Sequence, residues 1–314
     1  MSRRVRRTVM VLTLGAALAA GCGNDDVQCR GEGDCPTGQQ CVLGECRPEV
    51  NHDGAVFDGG VDGRADAGSD AMVDGGADGG GVCEYVDDGI ITRDEMVIEV
   101  GLGATYRVNQ TAPVTVDLVG TPSGGEPLWD FTGTTPSDQS VVDELLPVAG
   151  TWFAADFPTA TYIAHLDPDT YGVFRVTPQA LSMIGIASVT ANETLMTYDV
   201  PVDLLRFPIA LNDHYVISTT STGTYSWTPF WTIEETYDVT VDARGRVVVP
   251  AGSFHALRIR TNLHQVIPFT VFTVDRTLYI WVTECFGIVA RITSQDDEPQ
   301  NIFTEAAEFR RMTL

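Results

Sequence analysis

Lysine is absent from this chain of 314 residues; all 19 basic side chains are arginine. The bias is that of a GC-rich bacterial genome and implies no chemistry of its own. Positive charge is scarce, with 43 Asp plus Glu against those 19 arginines, and such a surface repels nucleic acid and anionic lipid headgroups. The one long apolar run, Val9 to Ala20, is too short to span a bilayer. Signatures of catalysis are missing as well. None of the histidines at 52, 165, 214, 255 and 264 belongs to an H-E-x-x-H pair, and neither a G-x-S-x-G elbow nor a Walker loop occurs. The cysteines include no C-x2-C pair, the usual opening of a zinc site. No cofactor is expected.

What is present begins with an address. Arg3, Arg4, Arg6 and Arg7 precede the apolar run, and small residues follow it, which is the layout of a secretory signal. The segment "LAAGC", Leu18 to Cys22, resembles the lipobox of bacterial lipoproteins. That resemblance implies acylation of the Cys22 thiol, cleavage of residues 1–21 and a further acyl chain on the new terminus. Several chains anchor a protein stably where one would be marginal. Arg6-Arg7 also faintly resembles a twin-arginine export signal. With the signal removed, 15 arginines stand against 43 acids, a formal charge of −28. The expected location is the cell envelope, on the outer membrane or cell surface rather than the inner membrane.

Three zones follow in the mature chain: residues 22–50, 51–82 and 83–314. The first holds Cys29, Cys35, Cys41 and Cys46, separated by five, five and four residues. No His lies among them, and an exported chain sits where disulfides form, so two bridges are expected, with three possible connectivities. The segment resembles the small Cys-rich motifs of exported lipoproteins, somewhat like half an EGF module. The second zone has ten Gly, seven Asp and five Ala in 32 residues, too little apolar surface to offset the entropy of ordering it. Its Asp58, Asp62, Asp66, Asp70, Asp74 and Asp78 recur every fourth residue, but calcium loops need carboxylates two apart and a bidentate Glu. A solvated, self-repelling spacer is the reading.

The third zone is β in pattern. Apolar and polar residues alternate in "VTVDLV" (114–119), "YGVFRVT" (171–177), "HALRIRTNL" (255–263) and "RTLYIWV" (276–282), with Gly, Pro and Asp between the runs. One helix is expected, over Ser137 to Leu146, with Ser137 as cap. In "VVVPAGSFHALRIR" (247–260) the Pro-Ala-Gly-Ser run reads as a turn, after which Leu257, Ile259 and Leu263 share one strand face and Arg258 and Arg260 the other. Together with "LYIWVTECFGIVARI" (278–292) this run is similar to uncharacterised bacterial periplasmic and surface β-domains of the lipoprotein-carrier type. Thr283 to Phe286 replaces the simpler turn of those domains. The resemblance implies a mainly β fold: a single antiparallel curved sheet or half-barrel with few helical segments.

Candidate sites are then weighed by spacing. His165, Asp167 and Asp169 alternate and could share a face, yet Asp-Pro-Asp is ordinary turn chemistry and no metal is expected. Asp296 to Glu298 reads as a wet hairpin tip, and Glu234-Glu235 as neighbours facing opposite ways, a poor acid/base dyad. Aromatics are the more pointed feature. Tyr225, Trp227, Phe230 and Trp231 crowd into "YSWTPFW", while Tyr279 and Trp281 alternate with Leu278, Ile280 and Val282, so that strand is covered on both sides. One side is core; the other is a second layer or an open apolar cleft. On the cleft reading Trp227, Trp231, Tyr279 and Trp281 bind a lipid or another apolar ligand. Cysteine arithmetic leaves Cys83 and Cys285 outside the knot, and a third bridge between them is expected, the alternative being a reduced, buried Cys285. The function expected is a non-catalytic, membrane-anchored binding domain. The alternatives are a structural or adhesive surface protein, or a metal-dependent enzyme built on His165, Asp167 and Asp169.

Overall fold

The computed structural model describes the backbone of residues 39–42 and 45–48 and, except at 84, 111–112, 136 and 269–271, residues 83–313. The signal, Cys22, Cys29, Cys35 and the 51–82 spacer lie outside the described residues. Strands β1 (Gln39–Val42) and β2 (Glu45–Pro48) pair antiparallel, with Cys41 directly opposite Cys46.

The unit that begins at Cys83 contains β3 (Ile90–Ile91), β4 (Gly103–Asn109), β5 (Val114–Thr115), β6 (Thr121–Ser123), β7 (Glu126–Asp130), β8 (Gln139–Glu144), β9 (Tyr162–Asp167), β10 (Thr170–Val176), β11 (Ala180–Ser188), β12 (Leu195–Arg206), β13 (Ile209–Ala210), β14 (His214–Tyr225), β15 (Thr228–Val249), β16 (Gly252–Val266), β17 (Thr273–Thr283), β18 (Gly287–Ser294) and β19 (Glu305–Thr313). Twelve of them hydrogen-bond in the order β8-β4-β19-β18-β17-β16-β15-β14-β12-β11-β10-β9. The path is nearly closed. Just past β8, Leu146 exchanges backbone bonds of 2.8 and 2.9 Å with Ile163 of β9, so the two ends of the sheet meet. Closure removes most of the exposed strand edge that an open sheet would present.

The mainly β, curved antiparallel sheet read from sequence is therefore what the chain forms, taken further toward a barrel. No helix occurs among the described residues. The stretch expected to be helical instead contributes β8, paired with β4 from Gln139↔Val108 to Gly103↔Glu144. Val141 and Val142 are β-branched and suit a pleated strand better than a helix. The turn before them is held by Asp138, whose carboxylate accepts bonds from the Thr135 N–H (2.9 Å) and hydroxyl (2.6 Å).

Two cores lie on opposite faces of the sheet, and a bulge exchanges them. Along β15, Tyr237, Val239 and Val241 point into the barrel, where they pack with Leu257 and Ile259 of β16 and Ile280 and Val282 of β17. The register slips between Val241 and Ala243, leaving Asp242 as the extra residue. A one-residue insertion reverses the facing of every later side chain. Val247 and Val249, still odd-numbered, consequently join the outer core with Trp129, Phe131, Tyr279 and Trp281. A strap running through β5, β6 and β7 covers that outer face, with β7 parallel to the end of β15. A third cluster, Phe153, Phe157, Ile163, Val173, Ile184 and Ala187, closes the β9–β11 side.

Candidate functional site: an aromatic hairpin tip

The four aromatics assigned to a cleft separate into two pairs. Tyr279 and Trp281 are each 0% exposed. Trp281 meets Trp129 edge-on at 5.6 Å and Phe131 at 4.9 Å, while the Tyr279 hydroxyl donates to the Asn301 carbonyl at 3.0 Å. The second side of β17 is thus a second layer, made by the strap and not by a helix, and this pair lines no opening. Beside it Arg258 lies over the rings of Trp129 and Tyr279 and forks onto Asp242, with Nε to Oδ1 at 2.8 Å and the second guanidinium nitrogen to Oδ2 at 3.1 Å. The bulge residue therefore supplies the counter-charge for a buried arginine.

Trp227 and Trp231 stand elsewhere, at the tip joining β14 to β15. Its two-residue turn, Ser226-Trp227, has φ of 44° and 64°. Turns with two positive φ values normally take Asn-Gly or a similar pair, because a Cβ is disfavoured there. Two short bonds hold the turn: the Trp227 N–H donates to the Glu193 carbonyl at 2.8 Å, and the Ser226 N–H to the Thr194 hydroxyl at 3.2 Å. Beyond it the register slips, Tyr225 pairing Thr228 and Gly223 pairing Trp231, and Phe230 adopts φ 60°. Gly223 has no alternative at this crossing, since a Cβ would lie 1.9 Å from the Leu195 carbonyl oxygen. Trp227 is 60% exposed and Phe230 95% exposed. Tyr225 and Trp231 pack on each other with ring centroids 5.9 Å apart. Burial, then the nearby carboxylates of Asp167 and Glu193, push the Tyr225 hydroxyl above its ordinary pKa.

Further down the same strand Glu235 faces the barrel interior, while Glu234 faces out. Burial pushes the Glu235 carboxyl above the usual range, against the effect of hydrogen bonds from Gln265, Tyr198 and Tyr237. The Tyr237 hydroxyl lies 3.3 Å from it. Neither Glu235 nor Phe230 stood among the residues singled out for binding by sequence. Phe230 had a legible signal, a pair of hairpin strands joined without Asn or Gly at the turn. Glu235 had none beyond its odd-numbered place in a run of inward residues.

The polar groups of the His165–Asp169 run have local structural partners. His165 Nδ1 lies 3.1 Å from the Asp167 carbonyl oxygen, its ring packs on Tyr171, and the Asp167 carboxylate accepts from the Asp169 N–H at 2.9 Å. Among the described residues no three His, Cys, Asp or Glu side chains stand together to hold a metal. Cys83 and Cys285 are joined, with Cα atoms 5.5 Å apart. Next to that bridge Glu284 accepts from the N–H groups of Val86 (2.6 Å) and Asp87 (3.0 Å), and Asp87 in turn faces Arg244 and His255, each at 3.2 Å. This polar cleft fastens the incoming segment to the barrel. A second ion-pair group lies on β18 and β19: burial opposes ionisation of Glu308, but Arg291 and Arg310 hold its carboxyl down to about 2.

No family model matches the chain, and no curated protein does. Two solved structures are similar in shape. One, from Bacteroides fragilis, is described as a candidate exported protein with a YmcC-like fold; it shares 11% identity over 68% of this chain and 94% of its own, with a TM-score of 0.33. The other, a candidate lipoprotein from Parabacteroides distasonis, shares 12% identity over 68% of this chain and 95% of its own, with a TM-score of 0.31. At that level of likeness, function has to be read from this chain's own residues.

Proposed function

We propose that this chain is an envelope lipoprotein, held at the outer membrane or cell surface through acylated Cys22, whose β-domain is a non-catalytic binding module acting through the β14–β15 tip. The observation that carries the binding role is Phe230, 95% exposed on a backbone with φ 60°. Nothing in folding favours a large apolar ring in solvent on a conformation that disfavours any Cβ, and outliers of this kind concentrate at ligand-contacting sites. Tyr279 and Trp281 are sealed under the strap and line no opening, so the apolar-ligand role rests on Trp227 and Trp231 of the tip, with Phe230.

A benzophenone side chain in place of Phe230 tests this in intact cells. Irradiation is expected to produce one discrete adduct from position 230 and none from Val119, an exposed apolar control on the strap. Equal, diffuse labelling at both sites would refute the tip as a binding surface. The anchor is tested separately: Cys22→Ser should release the protein from membranes or leave an uncleaved precursor, and a variant still acylated and processed refutes the lipoprotein assignment.

A further inference from the structure

We infer that the partner of the tip is a cationic protein surface, an assignment that rests on the tip being the binding site. The first ground is shape. Small-molecule sites are concave, whereas Trp227 and Phe230 project from a hairpin turn, so they suit a groove on another macromolecule. The second ground is charge. The described connections at this end of the barrel, residues 167–170, 189–194, 226–227 and 295–304, contain no arginine and no histidine. They carry Asp167, Asp169, Glu193, Asp297 and Glu298. Arg276, in β17 next to this end, is taken up by Asp296. Glu193 is tied to the turn through its carbonyl, and Asp167 and Glu193 are close enough to raise the Tyr225 pKa.

Four candidate occupants are disfavoured by the same charge. A second copy would bring a second acidic rim against the first. The chain's own 51–82 segment, with seven Asp and a single Arg, is repelled likewise. Nucleic acid and an anionic bilayer are both negative. Arginine or lysine side chains instead gain from both halves of the tip, the aromatic faces by cation–π contact and the surrounding carboxylates by attraction.

The test uses the mature full-length chain and four probes: an alternating Arg-Leu dodecapeptide, its Glu-Leu counterpart, phosphatidylcholine vesicles and phosphatidylglycerol vesicles. Binding is measured by calorimetry, and the site by hydrogen exchange of residues 225–231. The Arg-Leu peptide is expected to bind and protect the tip. Phe230→Asn alone, and combined with Trp227→Asn, should weaken it by about tenfold or more, as loss of an aromatic anchor does. Replacing the six regularly spaced Asp of the spacer by Asn should leave tip protection in place. Three results overturn the assignment: no binding of the Arg-Leu peptide, equal binding by the Phe230→Asn variant, or tip protection by either vesicle or by the Glu-Leu peptide. Tip protection by a vesicle or by the Glu-Leu peptide would leave the tip as the binding site with a different partner, whereas diffuse labelling in the cross-linking experiment would remove the site itself.

Discussion

Phe230→Asn should stabilise the protein, which is unusual for removal of a large apolar side chain. The ring is 95% exposed, so its loss forfeits only about 10 Å² of burial, or about 0.3 kcal/mol at 25 cal/mol per Å². Against this stands the backbone, at φ 60°. A bulky residue in the left-handed region costs on the order of 1–2 kcal/mol, and Asn occupies it with much less penalty. The net gain is about 1 kcal/mol, which for a domain of this size corresponds to roughly 2–4 °C in Tm. Trp227→Asn differs: at 60% exposure the indole buries on the order of 100 Å², worth up to about 2.5 kcal/mol, which offsets its own φ relief. Urea denaturation with the disulfide intact, read by tryptophan fluorescence and by circular dichroism, decides both. A Phe230→Asn variant less stable than the parent by 1 kcal/mol or more would refute the strain argument, and with it the main reason for assigning the tip a role.

Trp281→Ala should cost about 3–5 kcal/mol, because the indole is fully enclosed by Trp129 and Phe131, and a fall of under 1 kcal/mol in a denaturant titration would contradict the two-core description. Glu308 has its folded pKa lowered from 4.5 to about 2, so its contribution is fully present above pH 4.5 and is lost as pH falls toward 2; Glu308→Gln should remove on the order of 3 kcal/mol at pH 7 and flatten that acid limb. Glu235 has the opposite sign, its folded pKa being raised by burial, so it destabilises progressively as pH rises above 4.5 through the folded value; Glu235→Gln should gain stability at pH 8 relative to pH 4.5, measured as the difference between two urea midpoints. The Cys83–Cys285 bridge closes a sequence separation of 202 residues, and Cys285→Ser should lower stability by about 5 kcal/mol on the chain-entropy account; denatured, unreduced protein with thiols at both positions would show that the bridge is absent in solution.

Strand type was legible because it is local: alternation of period two in "RTLYIWV" or "HALRIRTNL" reports two faces whatever they pack against. The same period placed Glu234 and Glu235 on opposite faces and showed that β17 is covered on both sides. What covers each face is not local. The strap bearing Trp129 and Phe131 lies some 150 residues from Trp281 in sequence, and only the folded chain decides that it seals Tyr279 and Trp281 instead of leaving a cleft. The exchange of cores along β15 is likewise tertiary, since Val241 and Val247 share a parity and differ in face through one bulge residue, Asp242, whose charge is met by Arg258. The helix expected over 137–146 yielded to β4, a ladder partner whose presence no local pattern announces. At the tip, "YSWTPFW" displayed its aromatics in the sequence, but ring exposure depends on backbone handedness. That handedness is imposed by Gly223 crossing the Leu195 carbonyl and by Glu193 and Thr194 holding the turn, contacts that exist only after β12, β14 and β15 have come together.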